Sequence, residues 1–230
     1  MQTLTVGSNS YEVMFLQVML NRAGASPRLA EDGIFGPRTQ AAAIAFQRAN
    51  TVTPANGTVA ISTWQRFGPI TERMHNITGY SQPTDTTCWS AAATMMTGAN
   101  ASFGPGNATN TSDGGLDMGI DNIETFVNGL GWRLINNTSQ PPISELIAAV
   151  KRGPVWVAFQ GRAAAHAVVV SGIVHGSVKN DSDTVFRVHD PWPPNARRTS
   201  VYGTTYHGGT FWLRSVSPPL AGMIQYMAQP

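Results

Sequence analysis

Along the first seventy residues apolar side chains return every three to four positions, whereas after residue 150 they come in unbroken runs. The first pattern is that of amphipathic helices and the second that of buried strands. Val13, Leu16 and Leu20 share a helix face that Asn9 and Glu12 would open as a capping pair and Gly24 would close. A turn-rich piece from Ser26 leads to a second helix. It starts at Pro37, where proline suits a first turn, carries Ala41, Ile44 and Ala45 on one face, and runs through Phe46 and Gln47 to about Asn50. Ile61 to Phe67 predicts a short third helix before Gly68 and Pro69. Leu16, Ile44 and Phe46 are the expected core of a three-helix unit long enough to fold alone.

Residues 69–79 follow Gly68-Pro69, lack amphipathic spacing and predict a linker. From Tyr80 the pattern changes. A helix is predicted from Cys88 to about Thr97, then a polar, glycine-rich surface loop beside a cleft, up to Gly115. Ile120, Ile123, Phe126, Val127 and Leu130 give the inner face of a helix over 119–130. Trp132 to Ile135 reads as a strand, and Ile143 to Lys151 as a helix opened by Pro141-Pro142. Strands follow at Val155–Phe159, Ala167–Val174, Val185–Val188 and Gly209–Val216, the last alternating. Strands clustered after helices predict an α+β fold, most simply with the Cys88 helix laid on an antiparallel sheet. The implied organisation is a helical domain over 1–68, the linker 69–79, a second domain over 80–217 and a tail over 218–230. The tail either packs back on the body or is extraneous to it.

Composition narrows the function. Apolar residues make up 42% of the 230, enough for a packed core, but only 12% are charged, and Gly, Asn, Thr and Ser abound. That balance is seen in many secreted or surface-exposed bacterial proteins. A net charge of +2 offers no broad basic surface for nucleic acid. No stretch approaches the length of a membrane-spanning apolar helix. Met1 to Gly7 shows no basic stretch followed by an apolar run, so no secretory signal peptide is read. A protein of this kind acting in the periplasm, at the cell wall or outside the cell would be exported by a dedicated machine, be released by lysis, or have lost its leader. The single cysteine excludes an intrachain disulfide, and no histidines or cysteines have zinc-site spacing, so neither a metal nor a cofactor is expected.

One run in the helical unit carries more than fold. Asp32-Gly33-Ile34-Phe35-Gly36-Pro37 is followed by Thr39, Ala42 and Phe46-Gln47. The glycines allow tight turns, and Phe35 and Phe46 can anchor the loop on the core. This run resembles the signature of the bacterial peptidoglycan-binding module, over residues 4–67. The resemblance implies a wall-glycan partner. Arg28, Asp32 and Arg38 lie near the loop and are the candidate contact residues.

The second domain is organised around Cys88, the only cysteine, at the start of a helix whose dipole favours a thiolate. A thiol nucleophile needs an imidazole, a group to orient it and donors for an oxyanion. His166 stands at the head of a valine run, Asp190 precedes Pro191 at the exit of a later strand, and Gln82 lies six residues before Cys88. Gln82 followed by Cys88-Trp89, His166 before its valine run and the later Asp190-Pro191 together resemble the papain-like cysteine peptidases. The bacterial branch, with its bacteriocin-processing and effector proteases, is nearest. There the third member is Asp; the chain departs from papain itself in its smaller size and in lacking disulfides. The resemblance implies Cys88 as nucleophile, His166 as base then acid, Asp190 as orienting group and Gln82 as oxyanion donor. Trp89 is read as packing that shields the imidazole, at the edge of a substrate groove, and Trp192 as a candidate groove residue.

A wall-binding module fused to a thiol hydrolase raises the local enzyme concentration at the wall. The leading expectation is a peptidoglycan-degrading lytic enzyme or antibacterial toxin that cuts amide bonds in stem peptides or crosslinks. The alternative is an effector protease cleaving a protein target, and a third is a non-enzymatic wall-binding protein. The toxin reading admits an immunity protein, which nothing in the residues marks.

Overall fold

The computed structural model describes residues 1–98, 111–136, 140–160, 165–176, 181–192, 197–199, 205–207, 209–217 and 220–230, with backbone alone at 197–199 and 205–207. Residues 99–110 of the expected glycine-rich loop lie outside these. The helices are α1 (Tyr11–Arg22), α2 (Pro37–Ala49), α3 (Ile61–Trp64), α4 (Cys88–Thr97), α5 (Ile120–Gly129) and α6 (Ile143–Arg152). The strands are β1 (Thr71–Met74), β2 (Arg133–Asn136), β3 (Val155–Gln160), β4 (Ala165–His175), β5 (Thr184–Asp190), β6 (Arg197–Thr199), β7 (Thr205–His207), β8 (Gly209–Arg214) and β9 (Ile224–Gln229). They group into two units: Met1–Glu72 with Val174–Val185, and Arg73–Ile173 with Phe186–Pro230.

In the first unit α1 is capped by Ser10 in extended backbone, without a side-chain cap bond. The anticipated Asn9/Glu12 box does not form. Asn9 lies one residue too early, in a bridge to Ile34, and Glu12 Oε1 accepts from Gln2 Nε2 at 3.1 Å. Beyond the Val13/Leu16/Leu20 stripe, α1 also buries Phe15, Gln17, Val18 and Met19, because it packs on both α2 and the 181–183 turn. In α2 the buried face is Thr39, Ala43 and Gln47; Ala41 and Ala45 are exposed, and Ile44 and Phe46 only half-buried. Phe46 instead stacks on Phe67 with ring centroids 4.0 Å apart.

Two buried amides explain this face. Gln17 accepts the Gly33 N–H at 3.0 Å and donates to Asp32 Oδ1 at 2.8 Å; Gln47 accepts the Gly57 N–H at 2.9 Å and donates to Thr58 O at 2.8 Å. Each amide holds a turn of the same design. Asp32 Oδ1 takes the Ile34 N–H and Asn56 Oδ1 the Thr58 N–H, both at 2.9 Å, around a left-handed glycine. Buried polar groups must be paired, so the helices turn these glutamines inward, and on α2 Ala43 goes in with Gln47 while Ala41 and Ala45 stay outside.

The second unit is built on a sheet of order β2-β9-β3-β4-β5-β8, with β1 added against β4. The pairs β2–β9, β9–β3 and β3–β4 are antiparallel. Trp156, Ala158, Ala167, Val169 and Ala228 face α4 and α5, while Val155, Val157, Phe159, Val168 and Val170 face α6. Helices on both faces are why β3 and β4 read as unbroken apolar runs. On α5 the turned-in residues are Ile123, Phe126 and Val127, with Ile120 exposed and Leu130 partly buried.

Two segments carry strands that the apolar pattern did not show, and the second of them packs back on the body as one of the two expectations for the tail had it. The stretch read as a linker contains β1. Strand β3 covers β4 only from Ala165 to Val170, and the His75 N–H takes up the next carbonyl, that of Ser171, at 2.8 Å. A buried ladder carbonyl requires such a donor. The tail read over 218–230 contains β9, which fills the space between β2 and β3 and buries Ile224, Tyr226, Met227 and Ala228.

Candidate active site

Cys88 is the first residue of α4. The helix can begin there because Thr87 closes a turn on Thr84: the Thr87 hydroxyl donates to Thr84 O at 3.2 Å and accepts the Thr84 N–H at 3.1 Å. Ala92 and Ala93 follow, and their small side chains let α4 lie close on the sheet at Ala158 and Ala167. The thiol is thereby brought to β4, where it meets the His166 ring and the Ala167 N–H. Burial by itself would raise the thiol; the positive imidazole, its hydrogen bond and the Ala167 N–H outweigh this, and Cys88 titrates below its ordinary range.

His166 pairs with Phe159 across β3–β4. Its Nε2 donates to Asp190 Oδ1 at 2.8 Å, leaving Nδ1 for the thiol. Asp190 is the last residue of β5, the next strand of the sheet. Burial would lower the imidazole pKa, but the Cys88 thiolate and the bond to Asp190 push it up to about 10. Asp190 Oδ1 also accepts the Trp192 N–H at 2.8 Å, which fixes the carboxylate. The result is a thiolate–imidazolium pair held from behind by a carboxylate, a group able to attack an acyl carbon and to return a proton.

The pair opens into a cleft of about 170 Å³. It is lined by Ala165, His166 and Ala167 from β4, by Cys88, Trp89 and Trp156, and by Asp85, Thr86, Thr111, Asp113 and Gly115. Trp89 is fixed by its Nε1 donating to Gly114 O at 3.0 Å and by an edge-to-face contact with Phe126.

Residues 71–206, more than half of the chain, match the family model of the papain-like cysteine protease AvrRpt2. The chain belongs to this papain-like cysteine protease family. Residues 9–72 match the putative peptidoglycan binding domain. Comparison with curated proteins and with solved structures gives no match. The span matched to the papain-like cysteine protease contains Gln82, Cys88, His166 and Asp190, while β8 and β9 lie beyond it.

The remaining candidates sit as follows. The Gln82 N–H donates to Pro191 O at 2.7 Å, so its segment runs beside the exit of β5. Its buried side chain donates through Nε2 to Thr84 O at 2.7 Å, and Gln82 is not among the cleft-lining residues. Trp192 does not line the cleft either; its backbone serves Asp190. In the segment matched to the putative peptidoglycan binding domain, Arg28 pairs with Glu31 at 3.0 Å on the surface. Asp32 is occupied with its own turn, and the Ile34 N–H followed by the Gln17 amide lowers its pKa. Arg38 lines a cleft of about 680 Å³ between the end of α1, the 23–29 segment and α2.

A second polar cluster joins β4, β5 and β8 around the buried Ser171 and His189. Ser171 Oγ accepts from Arg187 Nε at 2.9 Å and bonds His189 Nε2 at 2.7 Å, while His189 Nδ1 meets Thr210 Oγ1 at 2.9 Å. Burial and then the Arg187 charge push His189 down to about 4, so it is neutral. Alternation along β5 points to this separation of His189 from Asp190; the role of Ser171 has no signal in an apolar run. Among the described residues no cluster of His, Cys, Asp or Glu could hold a metal ion, and no helix is long and apolar enough to cross a membrane.

Proposed function

We propose that this protease is an exported enzyme that hydrolyses amide bonds in peptidoglycan stem peptides or crosslinks, held at the wall by its N-terminal domain. The observation that carries the reading is the chain of contacts from Cys88 to His166 to Asp190 at the mouth of an open cleft. It is joined in one chain to a match for a peptidoglycan-binding domain.

In this mechanism the Cys88 thiolate attacks the carbonyl carbon. The oxyanion is held by the Cys88 N–H at the start of α4 and by the Gln82 amide, which spends one N–H on Thr84 and keeps a second. His166 delivers its proton to the leaving amine. Water, deprotonated by His166, then attacks the acyl-enzyme and frees the thiol. Asp190 keeps the ring oriented and stabilises its positive charge throughout.

Cys88→Ala is expected to abolish turnover with the fold intact. Digestion of purified sacculi and of casein, read by mass spectrometry, tests the substrate: new amino termini in muropeptides support the wall reading. Cleaved casein with intact sacculi supports a second one, an effector protease acting on a protein, which the protease family itself favours. An immunity protein in the producing cell belongs to either toxin reading.

A further inference from the structure

Among the described residues the cleft that holds Cys88 and His166 is also lined by two carboxylates, Asp85 and Asp113, which nothing in the catalytic steps uses. Asp85 lies three residues before the nucleophile, and Asp113 stands on the turn Thr111–Gly115. That turn is built, not loose. The Asp113 carboxylate accepts from the Thr111 hydroxyl and from the Gly115 N–H at 3.1 Å, and Thr111 N–H closes on Gly115 O at 2.7 Å. Thr86 Oγ1 donates to Asp113 O at 2.7 Å and Trp89 Nε1 to Gly114 O at 3.0 Å, which pins the turn to the first turn of α4. Gly115 is required for the closure: a Cβ there would come within 2.8 Å of Thr111 Oγ1 and 3.3 Å of Asp113 Oδ1. No Arg or Lys lines the cleft among the described residues. The other surfaces around the thiol are apolar or small: Trp89, Leu116, Met118, Trp156, Ala158 and Ala165.

We propose that Asp85 and Asp113 are specificity-determining residues that select a substrate carrying a positively charged primary amine or guanidinium beside the scissile amide. This rests on the reading of Cys88 as the nucleophile. Both carboxylates are solvent-exposed, so each contributes on the scale of a surface ion pair, and the pair together confers roughly a three- to tenfold preference. The lowered pKa of Asp113, from Thr111 and the Gly115 N–H, keeps that carboxylate charged across the working range.

The test uses matched electrophilic peptide probes with lysine or its neutral isostere norleucine on either side of the warhead. Labelling of Cys88 in the full chain is followed by mass spectrometry, with Cys88→Ala as blank. The lysine probe should label about three- to tenfold faster at low salt, with the advantage shrinking as salt rises. Asp85→Asn and Asp113→Asn should reduce the ratio toward one while leaving the norleucine rate and the iodoacetamide rate unchanged. Equal rates in the parent chain, or an advantage that survives both substitutions, overturn the charge selection and leave the nucleophile intact. Failure of both probes and of iodoacetamide to label Cys88 overturns the nucleophile reading and this proposal with it. A parallel digestion separates the sources of the amine. Loss of muropeptide release after acetylation of the amines in sacculi assigns it to the wall peptide; loss of casein cleavage after lysine acetylation assigns it to a protein.

Discussion

The charge on His166 is set by its neighbours, and this can be measured. Its pKa is raised to about 10 against burial, with the Cys88 thiolate as the largest raising influence. Replacing Cys88 by Ala removes that charge, so the His166 resonance in an NMR titration should move to a lower pKa than in the parent chain. The same pair fixes the pH dependence. Cys88, lowered from its ordinary value, stabilises the fold above the unfolded thiol pKa and loses that contribution as pH falls through its folded value. His166 stabilises the fold fully below the unfolded imidazole value and loses that contribution as pH rises through about 10. The ionised pair exists between these limits. Turnover should therefore rise below the ordinary thiol range and fall near pH 10, a bell read from kcat/KM against pH. Cys88, His166 and Asp190 were legible in the sequence because each stands at an element boundary with a distinctive neighbour: Trp89, a valine run and Pro191. Asp85 and Asp113 were not, since a carboxylate in a polar, threonine-rich stretch looks like any solvated face.

Strands and turns decide whether those residues meet. His166 and Asp190 sit on adjacent strands, and Ser171, fully buried on β4, ties itself to Arg187 and His189 on β5. Ser171→Ala should leave the buried His189 and the partly buried Arg187 each short of a bond and cost about 1–3 kcal/mol in urea unfolding. Because it loosens the register that aligns imidazole and carboxylate, turnover should also fall by roughly tenfold to a hundredfold. In the N-terminal unit Gln17→Ala should cost a similar ~1–3 kcal/mol by stranding the Gly33 N–H, with Cys88 labelling unchanged. The helices themselves were readable from their periodicity. The inward face of α2 was not, because alanine says little about burial, and the two glutamines that govern the packing look like surface residues. Gln17 shares a helix face with Val13 and Leu20; a polar side chain inside an apolar stripe was the available signal.

For the molecule as a whole, the mixture of helices with an antiparallel sheet followed from the change in apolar pattern near Tyr80, while the inclusion of Val174–Val185 in the first unit did not. The strands β1 and β9 did not. Their partners β4, β2 and β3 lie far away in sequence, and a short segment gains its strand character from that pairing. A chain cut after residue 219 lacks β9 and leaves β2 and β3 with unpaired edges in the middle of the sheet. It should be recovered as aggregate, or show exposed apolar surface by dye binding, and should not react at Cys88 with the selectivity of the intact protein. The placement of β9 also orders events in time. Chains are made from the amino end, and distant strand pairings form last. Cys88, His166 and Asp190 all emerge before residue 224. A nascent chain made only as far as residue 223 thus carries every reacting group but not the strand that lies between β2 and β3, and should acquire peptide-directed reactivity at Cys88 only once β9 has joined the sheet.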